Sequence, residues 1–449
     1  MNFSARPKPG NCGSRKSRLS PVPVATRRYE PRPHAQPTVL SDLSPPRIIF
    51  VNRVYRPSTE ATAQLLTDLA EGLAARGWPV HVIAAGSVPG PLSGVTIHRT
   101  GAGDKHGGLI SRTANYAGFL RAARRSLAAL AKPGDLVVLM TDPPLLAACA
   151  TGVARQQGAQ VVQWIQDIYP EIVPQHVGAW AGWLLLPLKW ARNRAWRAAS
   201  LCLPVGADMR ATVEAQGVSA EKILVLSNWA PPELDQMPAV DAVAAYRRAQ
   251  NLPADFIVGY SGNLGRVHEF DTFLTAATLL RRPGTAAPTA PGCIFRITGS
   301  GPQLPTVVAA KSERQLDNIL IGPPVPRADL ALSLAACQAH LVTLKPGFES
   351  LVNPSKLTGI LAAGRPVLFV GPPRSALAAF IHQEKIGAVV APGDAPGLVA
   401  VLTRWAATDG AEAAALGRSA RACYERHFTF GAALDRWEKL LRATRSDRS

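Results

Sequence analysis

The feature that most constrains this chain is a repeated alternation of buried strands and amphipathic helices. The apolar run from Arg47 to Tyr55 is rich in β-branched residues and predicts a buried strand. The segment after Pro57 carries leucines at helical spacing and ends at Gly77, which predicts a helix. The sequence WPVHVIAA follows directly and predicts a second strand. This order is a βαβ unit, whose two strands are parallel.

The alternation continues to a short linker, Asn228 to Glu233, and then starts again. Beyond the linker, FIVGYSGNLGR and CIFRITGSGP each predict a strand that ends in a glycine-rich loop. NILIG, AHLVTL and RPVLFVG predict three further strands. We therefore predict an α/β chain of two Rossmann-like, doubly wound domains that face each other across a cleft.

The domain bounds follow from this pattern. We predict a first domain over 46–229, a second domain over 230–430, and a last helical segment, 431–449, that packs back on the first domain. Residues 1–45 are rich in proline and basic residues and lack the apolar core of a secretory signal, so we expect a disordered tail. This tail is either a solvated extension or a tether to anionic lipid or to a partner protein.

The charge of the chain points to an anionic ligand. The chain has 449 residues, of which 47% are hydrophobic, so wholesale disorder is excluded. The net charge of +18 favours nucleic acid, an anionic membrane surface or a phosphorylated ligand. The cysteines are scattered without a CxxC pair, and the histidines lack metal spacing, so we expect neither a disulfide framework nor a metal site.

One helix start in the second domain has the features of a phosphate site. Asn353 can cap this helix, and Pro354 suits its first position. Ser355 and Lys356 then add a hydroxyl and an ammonium group beside the free backbone N–H groups. Gly359 lies one turn further on, where a glycine indicates either a ligand against the backbone or a helix crossing.

Two glycine-rich loops follow strands of the same domain. The first contains Gly262, Asn263 and Gly265, and its Arg266 can pair with a phosphate. The second contains Gly299, but we favour an ordinary turn there. His268 and His106 also lie in loops, where a single histidine is more often incidental.

The first domain offers weaker candidates for site residues. Asp167 and Glu171 follow a predicted strand end, as does the sequence TDPP that begins at Thr141, and a site or a plain loop fits equally well. The loop that opens the first helix carries Ser58, Thr59 and Glu60. These can contact an acceptor, although helix capping explains Ser58 equally well.

A tryptophan-rich basic segment over 177–200 favours a membrane interface. Its apolar run, Val177 to Leu188, contains Pro187 and is shorter than the roughly 20 residues that a membrane span needs. Tryptophans, leucines and basic side chains together suit a segment that lies on an anionic membrane surface. The contacts that we predict come from Trp180, Trp183, Trp190, Lys189 and Arg192. The alternative is a core helix with a basic outer face.

Taken in order, six stretches of the chain resemble one known family. They are VNRVYRPSTEATAQLLTDLAEGLAARGWPVHVI, WIQDIYPEIV, LSNWAPPE, YSGNLGRVHEF, RITGSGP and NPSKLTGILAAGRPVLFVG. The set resembles the family-4 retaining glycosyltransferases of the GT-B fold, in particular the WbuB/WcaI-like group of bacterial surface-polysaccharide assembly. The resemblance covers about residues 46 to 445.

The resemblance implies an enzyme that moves a sugar from a nucleotide sugar to a polyprenyl-diphosphate-linked acceptor. The donor would be a UDP-sugar, with UDP-N-acetylhexosamines as one candidate class. No metal and no other cofactor would be needed, no nucleic acid would bind, and the protein would be cytoplasmic and peripheral on the inner membrane. A leaving-phosphate oxygen would accept the acceptor's proton in a front-face reaction that retains the anomeric configuration.

The resemblance also assigns roles to residues. Catalytic roles fall on Arg266, Lys356 and Asp167. Donor contacts fall on Gly262, Asn263, Gly265, Ser355, Leu357, Gly359 and Gly299. Acceptor contacts fall on Ser58, Thr59, Glu60, Thr62 and Gln166.

Two departures from the family pattern keep other functions open. The usual pair of glutamates around the NPSK helix is missing, with Leu351 and Gly359 in the matching places. The usual Lys-Gly after the first loop is His268-Glu269. A UDP-sugar epimerase of the same fold, or a basic binding protein that has lost catalysis, therefore remain as alternatives.

Overall fold

The computed structural model describes residues 45–86, 94–101, 109–173, 180–281, 292–407 and 410–446. Nearly all of the predicted tail, together with His106 and the first positions of the tryptophan-rich segment, lies outside the described residues.

The described residues contain two parallel sheets of six strands each. The first sheet consists of β1 (Ile48–Val51), β2 (Val80–Ala84), β3 (Val95–Arg99), β4 (Leu136–Leu139), β5 (Gln160–Ile165) and β6 (Leu201–Pro204). The second consists of β7 (Phe256–Ser261), β8 (Cys293–Thr298), β9 (Ile319–Gly322), β10 (Ala339–Thr343), β11 (Val367–Val370) and β12 (Gly387–Val390). The spatial orders are β3-β2-β1-β4-β5-β6 and β12-β11-β10-β7-β8-β9.

Both orders are the same doubly wound arrangement, with its switch point between the first and fourth strands of each sheet. The predicted α/β fold with two Rossmann-like domains is therefore confirmed. Ligands in such sheets bind at the carboxyl ends of the strands near the switch point. In this chain those ends follow β1 and β4 in the first sheet and β7 and β10 in the second.

Helices connect the strands and cover the sheets. Those of the first half are α1 (Ala61–Ala75), α2 (Leu109–Leu130), α3 (Leu146–Gln156), α4 (Trp180–Leu184), α5 (Leu186–Ala198) and α6 (Ala207–Ala215). Those of the second half are α7 (Val240–Ala249), α8 (Asp271–Leu279), α9 (Leu304–Glu313), α10 (Leu330–Ala335), α11 (Lys356–Ala362), α12 (Ala376–Glu384), α13 (Ala395–Ala407), α14 (Ala411–His427) and α15 (Phe430–Ser446). Short 3-10 turns occur at Ala220–Lys222, Pro232–Leu234 and Arg327–Asp329.

The apolar pattern of the sequence explains this packing. All four residues of β1 are buried, as expected for a central strand covered on both faces. Helix α1 buries Leu66, Leu69 and Leu73 against the sheet, because these residues recur at the spacing of one helical face.

The last helix, α15, packs against the first sheet and its helices. The Trp437 ring is fully buried edge-on against Trp164, with ring centroids 4.9 Å apart. Arg76 donates to Glu438 at 2.9 Å. Side chains of both halves and of α15 share one hydrophobic core, so the domain bounds given above stay a prediction.

Candidate functional site

The carboxyl ends of the two sheets come together through a short pairing of backbone segments. Asp167, two residues after β5, forms an antiparallel bridge with Val352. The backbone N–H of Ile168 donates to the carbonyl oxygen of Leu351 at 2.9 Å. Val352 lies just before α11, so this bridge brings the predicted acceptor side next to the predicted phosphate site.

Lys356 begins α11, and its ammonium group extends to the loop after β7. Its Nζ donates to the carbonyl oxygen of Asn263 at 3.2 Å and lies 4.8 Å from the ring centre of Tyr260. Within the described residues, no carboxylate lies at ion-pair distance from this group. Burial lowers the pKa of Lys356 to about 8, so the side chain is still mostly cationic at neutral pH.

His268 supplies the other contact of this lysine. Its Nδ1 lies 2.7 Å from the carbonyl oxygen of Thr343, and its Nε2 lies 3.2 Å from Nζ of Lys356. Burial, and then the nearby charge of Lys356, lower the pKa of His268 to about 3. The imidazole is therefore neutral at physiological pH.

The two glycine-rich loops of the second sheet lie directly against each other. The N–H of Gly262 donates to the carbonyl oxygen of Thr298 at 2.9 Å, and the N–H of Leu264 donates to the carbonyl oxygen of Ser300 at 2.7 Å. Gly299 has φ +149°, and a Cβ built there would lie 2.0 Å from the carbonyl oxygen of Gly262. The loop that we favoured as an ordinary turn is thus part of the floor beside Lys356.

We expect Gly299→Ala to destabilise the fold by about 3 kcal/mol, because the new methyl group overlaps backbone and the φ value is unfavourable for alanine. The measurement is the free energy of unfolding in denaturant. Gly152→Ala is the matched control, since Gly152 lies within α3 with open space around its Cβ position. Equal stability of Gly299→Ala and the wild type would contradict the packing of these loops.

The start of α11 differs from the sequence prediction. The helix begins at Lys356 with Ser355 as its N-cap residue, so the assignment of Asn353 as the cap and Pro354 as the first position was wrong. The Asn353 amide instead donates to the carbonyl of Val205, at the end of β6, at 3.3 Å.

The remaining donor residues of α11 have different surroundings. Ser355 is exposed. The side chain of Leu357 is buried in the core, so only its backbone is available to a ligand. The predicted donor contact of Gly359 is not supported, because a Cβ there would meet Leu334 and Leu234 at 3.5 and 3.6 Å. The glycine therefore lies where α11 packs on apolar side chains of the protein.

Arg266 lies exposed in the loop after β7. Its side chain makes no hydrogen bond or ion pair with the residues that the structure describes. A Cβ atom built at the neighbouring Gly265 would lie 3.3 Å from the side-chain amide nitrogen of Asn263. The candidate site therefore contains one cation held by hydrogen bonds, Lys356 at the start of α11, and one exposed cation, Arg266 in the loop after β7.

The carboxylate of Asp167 belongs to a group of charges at the carboxyl ends of β1, β4 and β5. Burial, and then the nearby Asp142, raise the pKa of Asp167 to about 6. Asp142 itself forms an ion pair of 3.0 Å with Arg53, which also lies 3.4 Å from Glu60. Sequence reasoning missed Arg53 and did not single out Asp142 within TDPP.

The predicted acceptor residues are spread over two places. Ser58, Thr59, Glu60 and Thr62 lie in the partly exposed segment at the start of α1, and the Ser58 hydroxyl accepts from the Glu60 N–H at 3.3 Å. Helix α1 begins at Ala61 with Glu60 as its N-cap residue, so Ser58 is not the cap.

Gln166 has a different environment from the other predicted acceptor residues. Its side chain is buried and exchanges two hydrogen bonds with that of Asn228, at 2.8 and 3.2 Å. Both of its polar ends are thereby engaged with the linker that joins the two sheets. An acceptor contact for this side chain is not supported by the geometry.

The tryptophan-rich segment presents a hydrophobic surface. Side chains of α4 and α5 that are strongly exposed form what we call the Trp surface, namely Trp180, Trp183, Leu184, Leu186 and Trp190. The exposed fractions of Trp180, Trp183 and Trp190 are 64%, 79% and 61%, which is far beyond what tryptophans show in a core. None of the described helices is both long and apolar enough to cross a membrane.

Arg192 does not belong to this surface, contrary to the sequence prediction. Its buried guanidinium pairs with Glu171 at 2.6 Å and stacks on the buried ring of Trp196 at 3.9 Å. Lys189 is half-buried and lies 3.5 Å from the same Glu171. Arg194 and Arg197 are exposed on α5, and Arg194 lies over the ring of Trp190.

Comparison with known proteins agrees with this architecture. Residues 61–229 match the family described as the glycosyl transferase 4-like domain. Residues 61–229 are thereby identified as a glycosyl transferase 4-like domain. The resemblance to the family-4 glycosyltransferases that the ordered motifs indicated is therefore confirmed.

Two relatives of this chain have names that describe an activity. WbjE of Pseudomonas aeruginosa, named a probable glycosyltransferase, is 26% identical over 269 residues, which is 60% of this chain and 65% of WbjE. WcaI of Escherichia coli K12, named for glycosyl transfer in colanic acid biosynthesis, is 33% identical over 150 residues, which is 33% of this chain and 35% of WcaI. Each match covers less than two thirds of the relative.

Solved structures share the GT-B fold with this chain. HepE of Anabaena, in complex with UDP-glucose, superposes with a TM-score of 0.66 at 14% identity, over 88% of this chain and 99% of HepE. Sucrose-phosphate synthase of Thermosynechococcus elongatus superposes with a TM-score of 0.70 at 20% identity, over 89% and 98%. At these identities the likeness establishes the fold alone.

Proposed function

We propose that this chain is a retaining glycosyltransferase that moves a sugar from a UDP-sugar to a polyprenyl-diphosphate-linked acceptor in surface-polysaccharide biosynthesis. The observation that carries the proposal is the ammonium group of Lys356. It lies at the carboxyl ends of the second sheet and is held by uncharged acceptors only, among the described residues. A cation in that position can neutralise a diphosphate.

Several findings support a nucleotide-sugar donor. HepE, which shares this fold, has been solved with UDP and with UDP-glucose. Gly262 and Gly299 let the two loops pack closely together and against the Lys356 side chain, which a larger residue would displace. Arg266, in the loop after β7, adds a second positive charge.

The proposed chemistry requires no nucleophile from the protein. The bond between the sugar C1 and the diphosphate oxygen breaks, and a new bond forms between C1 and the acceptor oxygen on the same face. The acceptor's proton passes to an oxygen of the leaving diphosphate. Lys356 and Arg266 stabilise the negative charge that develops on this leaving group, so these cations take the place of a metal ion. Asp167, at the facing edge, orients the acceptor hydroxyl.

The proposed acceptor side is a membrane. The Trp surface projects from α4 and α5, and α5 is tied to the segment after Asp167 by the Arg192–Glu171 ion pair. Exposed tryptophans beside basic groups favour insertion at the headgroup level of anionic lipid. In this proposal the protein is cytoplasmic and peripheral on the inner membrane.

The test is transfer of radiolabelled sugar from a panel of UDP-sugars into solvent-extractable lipid by membranes that contain the protein. Lipid labelling with one donor supports the proposal and identifies that donor. Binding of UDP without lipid labelling would move the assignment toward an epimerase or another acceptor. If neither UDP binding nor lipid labelling is detected, a protein that has lost catalysis would be favoured.

The affinity for UDP is expected to fall as pH rises through about 8. Lys356 carries its charge below its pKa of about 8 and loses it above, so alkaline pH removes the attraction for the diphosphate. The affinity should fall by at most about tenfold per pH unit above that value, measured by titration calorimetry. Lys356→Arg keeps its charge and should give a flat profile. A profile of the wild type as flat as that of the arginine variant would contradict this role.

A further inference from the structure

The contacts of His268 fix which of its ring nitrogens carries the proton. A backbone carbonyl oxygen can only accept, so Nδ1, 2.7 Å from the Thr343 carbonyl, must be the N–H donor. Because the ring is neutral, Nε2 has a free lone pair. It lies 3.2 Å from Nζ of Lys356 and therefore accepts from the ammonium group.

These contacts hold the lysine without neutralising it. An ammonium group has three N–H donors. One goes to the carbonyl oxygen of Asn263 and one to Nε2 of His268, and neither acceptor carries a formal charge. The third has no acceptor among the described residues. An aspartate or glutamate in place of His268 would fix the lysine equally well but would cancel the charge that a diphosphate needs.

The anchor of this arrangement is rigid. Thr343 is the last residue of β10 and is fully buried within the second sheet. The backbone N–H of His268 also donates to Gly265 at 3.1 Å, and the amide of Gln303 donates to the His268 carbonyl at 3.0 Å. The imidazole is therefore fixed at both its backbone and its ring.

We propose that His268 is a positioning residue, whose neutral ring, fixed by the Thr343 carbonyl, holds the charged end of Lys356 ready for the donor diphosphate. This inference rests on the proposed function for the identity of the anion. A lysine side chain has four rotatable bonds, so holding it in advance lowers the entropic cost of binding.

Two substitutions separate the two ends of the ring. In His268→Asn the amide nitrogen takes the place of Nδ1 and keeps the bond to Thr343, but the acceptor toward Lys356 is lost. In His268→Gln the amide oxygen reaches the place of Nε2 and keeps that acceptor, while the bond to Thr343 is lost. Each variant loses one hydrogen bond, so a merely structural role predicts similar effects of both.

The first experiment measures UDP affinity of the full-length variants by titration calorimetry. We expect His268→Asn to weaken UDP binding about tenfold, since one bond to a charged group is lost, and His268→Gln to retain more of the affinity. The double variant His268→Asn/Lys356→Ala should bind no more weakly than Lys356→Ala alone, because the histidine acts through the lysine. Equal losses in the two histidine variants, or additive losses in the double variant, would overturn the proposal.

A second experiment does not depend on the nucleotide. The rate at which acetic anhydride modifies Lys356, followed by mass spectrometry over a range of pH, reports the apparent pKa of the lysine in the free protein. Loss of an acceptor disfavours the charged form, so the apparent pKa should be lower in His268→Asn than in His268→Gln. Identical profiles would overturn the role of His268 even if sugar transfer is observed. A difference in a protein that binds no UDP would uphold the His268–Lys356 contact while the proposed function fails.

Discussion

Replacing Lys356 with alanine is expected to lower the rate of sugar transfer about a hundredfold, which is the typical cost of removing one group that stabilises developing charge. The lysine is the cation that the fold holds at the loop after β7, and Arg266 nearby is exposed and not fixed by the described residues. The arginine cannot take over the same position without paying the entropy of ordering its side chain.

The measurement is a steady-state assay of transfer with the donor that the lipid-labelling experiment identifies. If Lys356 acts mainly on the leaving diphosphate, the loss should appear in kcat, whereas a loss confined to KM would indicate ground-state binding only. Lys356→Met removes the charge but keeps most of the apolar stem, and it should be as impaired as the alanine variant.

Lys439→Ala is the matched control, because this lysine is exposed on α15 and far along the chain from the site. It should transfer sugar at the wild-type rate. Activity of Lys356→Ala within about threefold of the wild type, with unchanged stability, would remove the central assignment of the site.

The parts of the fold that local sequence determines were predicted correctly. Apolar β-branched runs followed by helical leucine patterns predicted most strands of both sheets, because burial on both faces of a parallel sheet demands such runs. The strands β3, β6 and β12 were not predicted. The glycine-rich ends of β7 and β8 were also recognisable, although only the structure reveals that Gly299 is required by its contact with the Gly262 carbonyl.

The predictions were wrong at residues whose side-chain contacts come from distant parts of the sequence. Asn353 has the residue type of a helix cap, but its amide bonds to Val205, which is 148 positions away. His268 resembled an incidental loop histidine, since its partners Thr343 and Lys356 lie 75 and 88 positions along the chain. No local pattern carries such information.

The tryptophan-rich segment illustrates a third kind of limit. Its composition indicated a membrane interface, but composition does not say which side chains of a helix point outward. Arg192 and Trp196 lie one turn apart and stack on each other in the interior, while Trp190 and Arg194 do the same at the surface. The rotational orientation of α5, set by its packing against α3, determines which of the two pairs is buried.

The triple variant Trp180→Ala/Trp183→Ala/Trp190→Ala is expected to bind lipid vesicles more than a hundredfold more weakly than the wild type. Each exposed indole contributes about 1.5 kcal/mol or more to vesicle binding when it is buried at the headgroup level. The three contributions together exceed the free energy of a hundredfold change in affinity, even if each is only partly realised. The measurement is flotation or co-sedimentation with vesicles of phosphatidylcholine and phosphatidylglycerol.

The control removes three exposed apolar side chains from elsewhere in the protein. Val240, Leu279 and Val308 are exposed apolar residues on α7, α8 and α9, which belong to the second sheet. Their triple alanine variant should bind vesicles like the wild type. Equal binding by the tryptophan variant would show that the Trp surface is not the site of membrane contact.

The transfer reaction adds a second readout that separates docking from catalysis. If the Trp surface serves only to bring the protein to the proposed lipid-linked acceptor, the triple variant should lose transfer to acceptor in membranes. It should keep its affinity for UDP, because the proposed donor site lies on the second sheet. Salt should weaken vesicle binding of the wild type only in part, since the insertion of indoles is not screened whereas the contribution of basic groups such as Arg194 is. Loss of UDP affinity together with vesicle binding would instead indicate that the substitutions disturb the fold, and would leave the surface without an assigned partner.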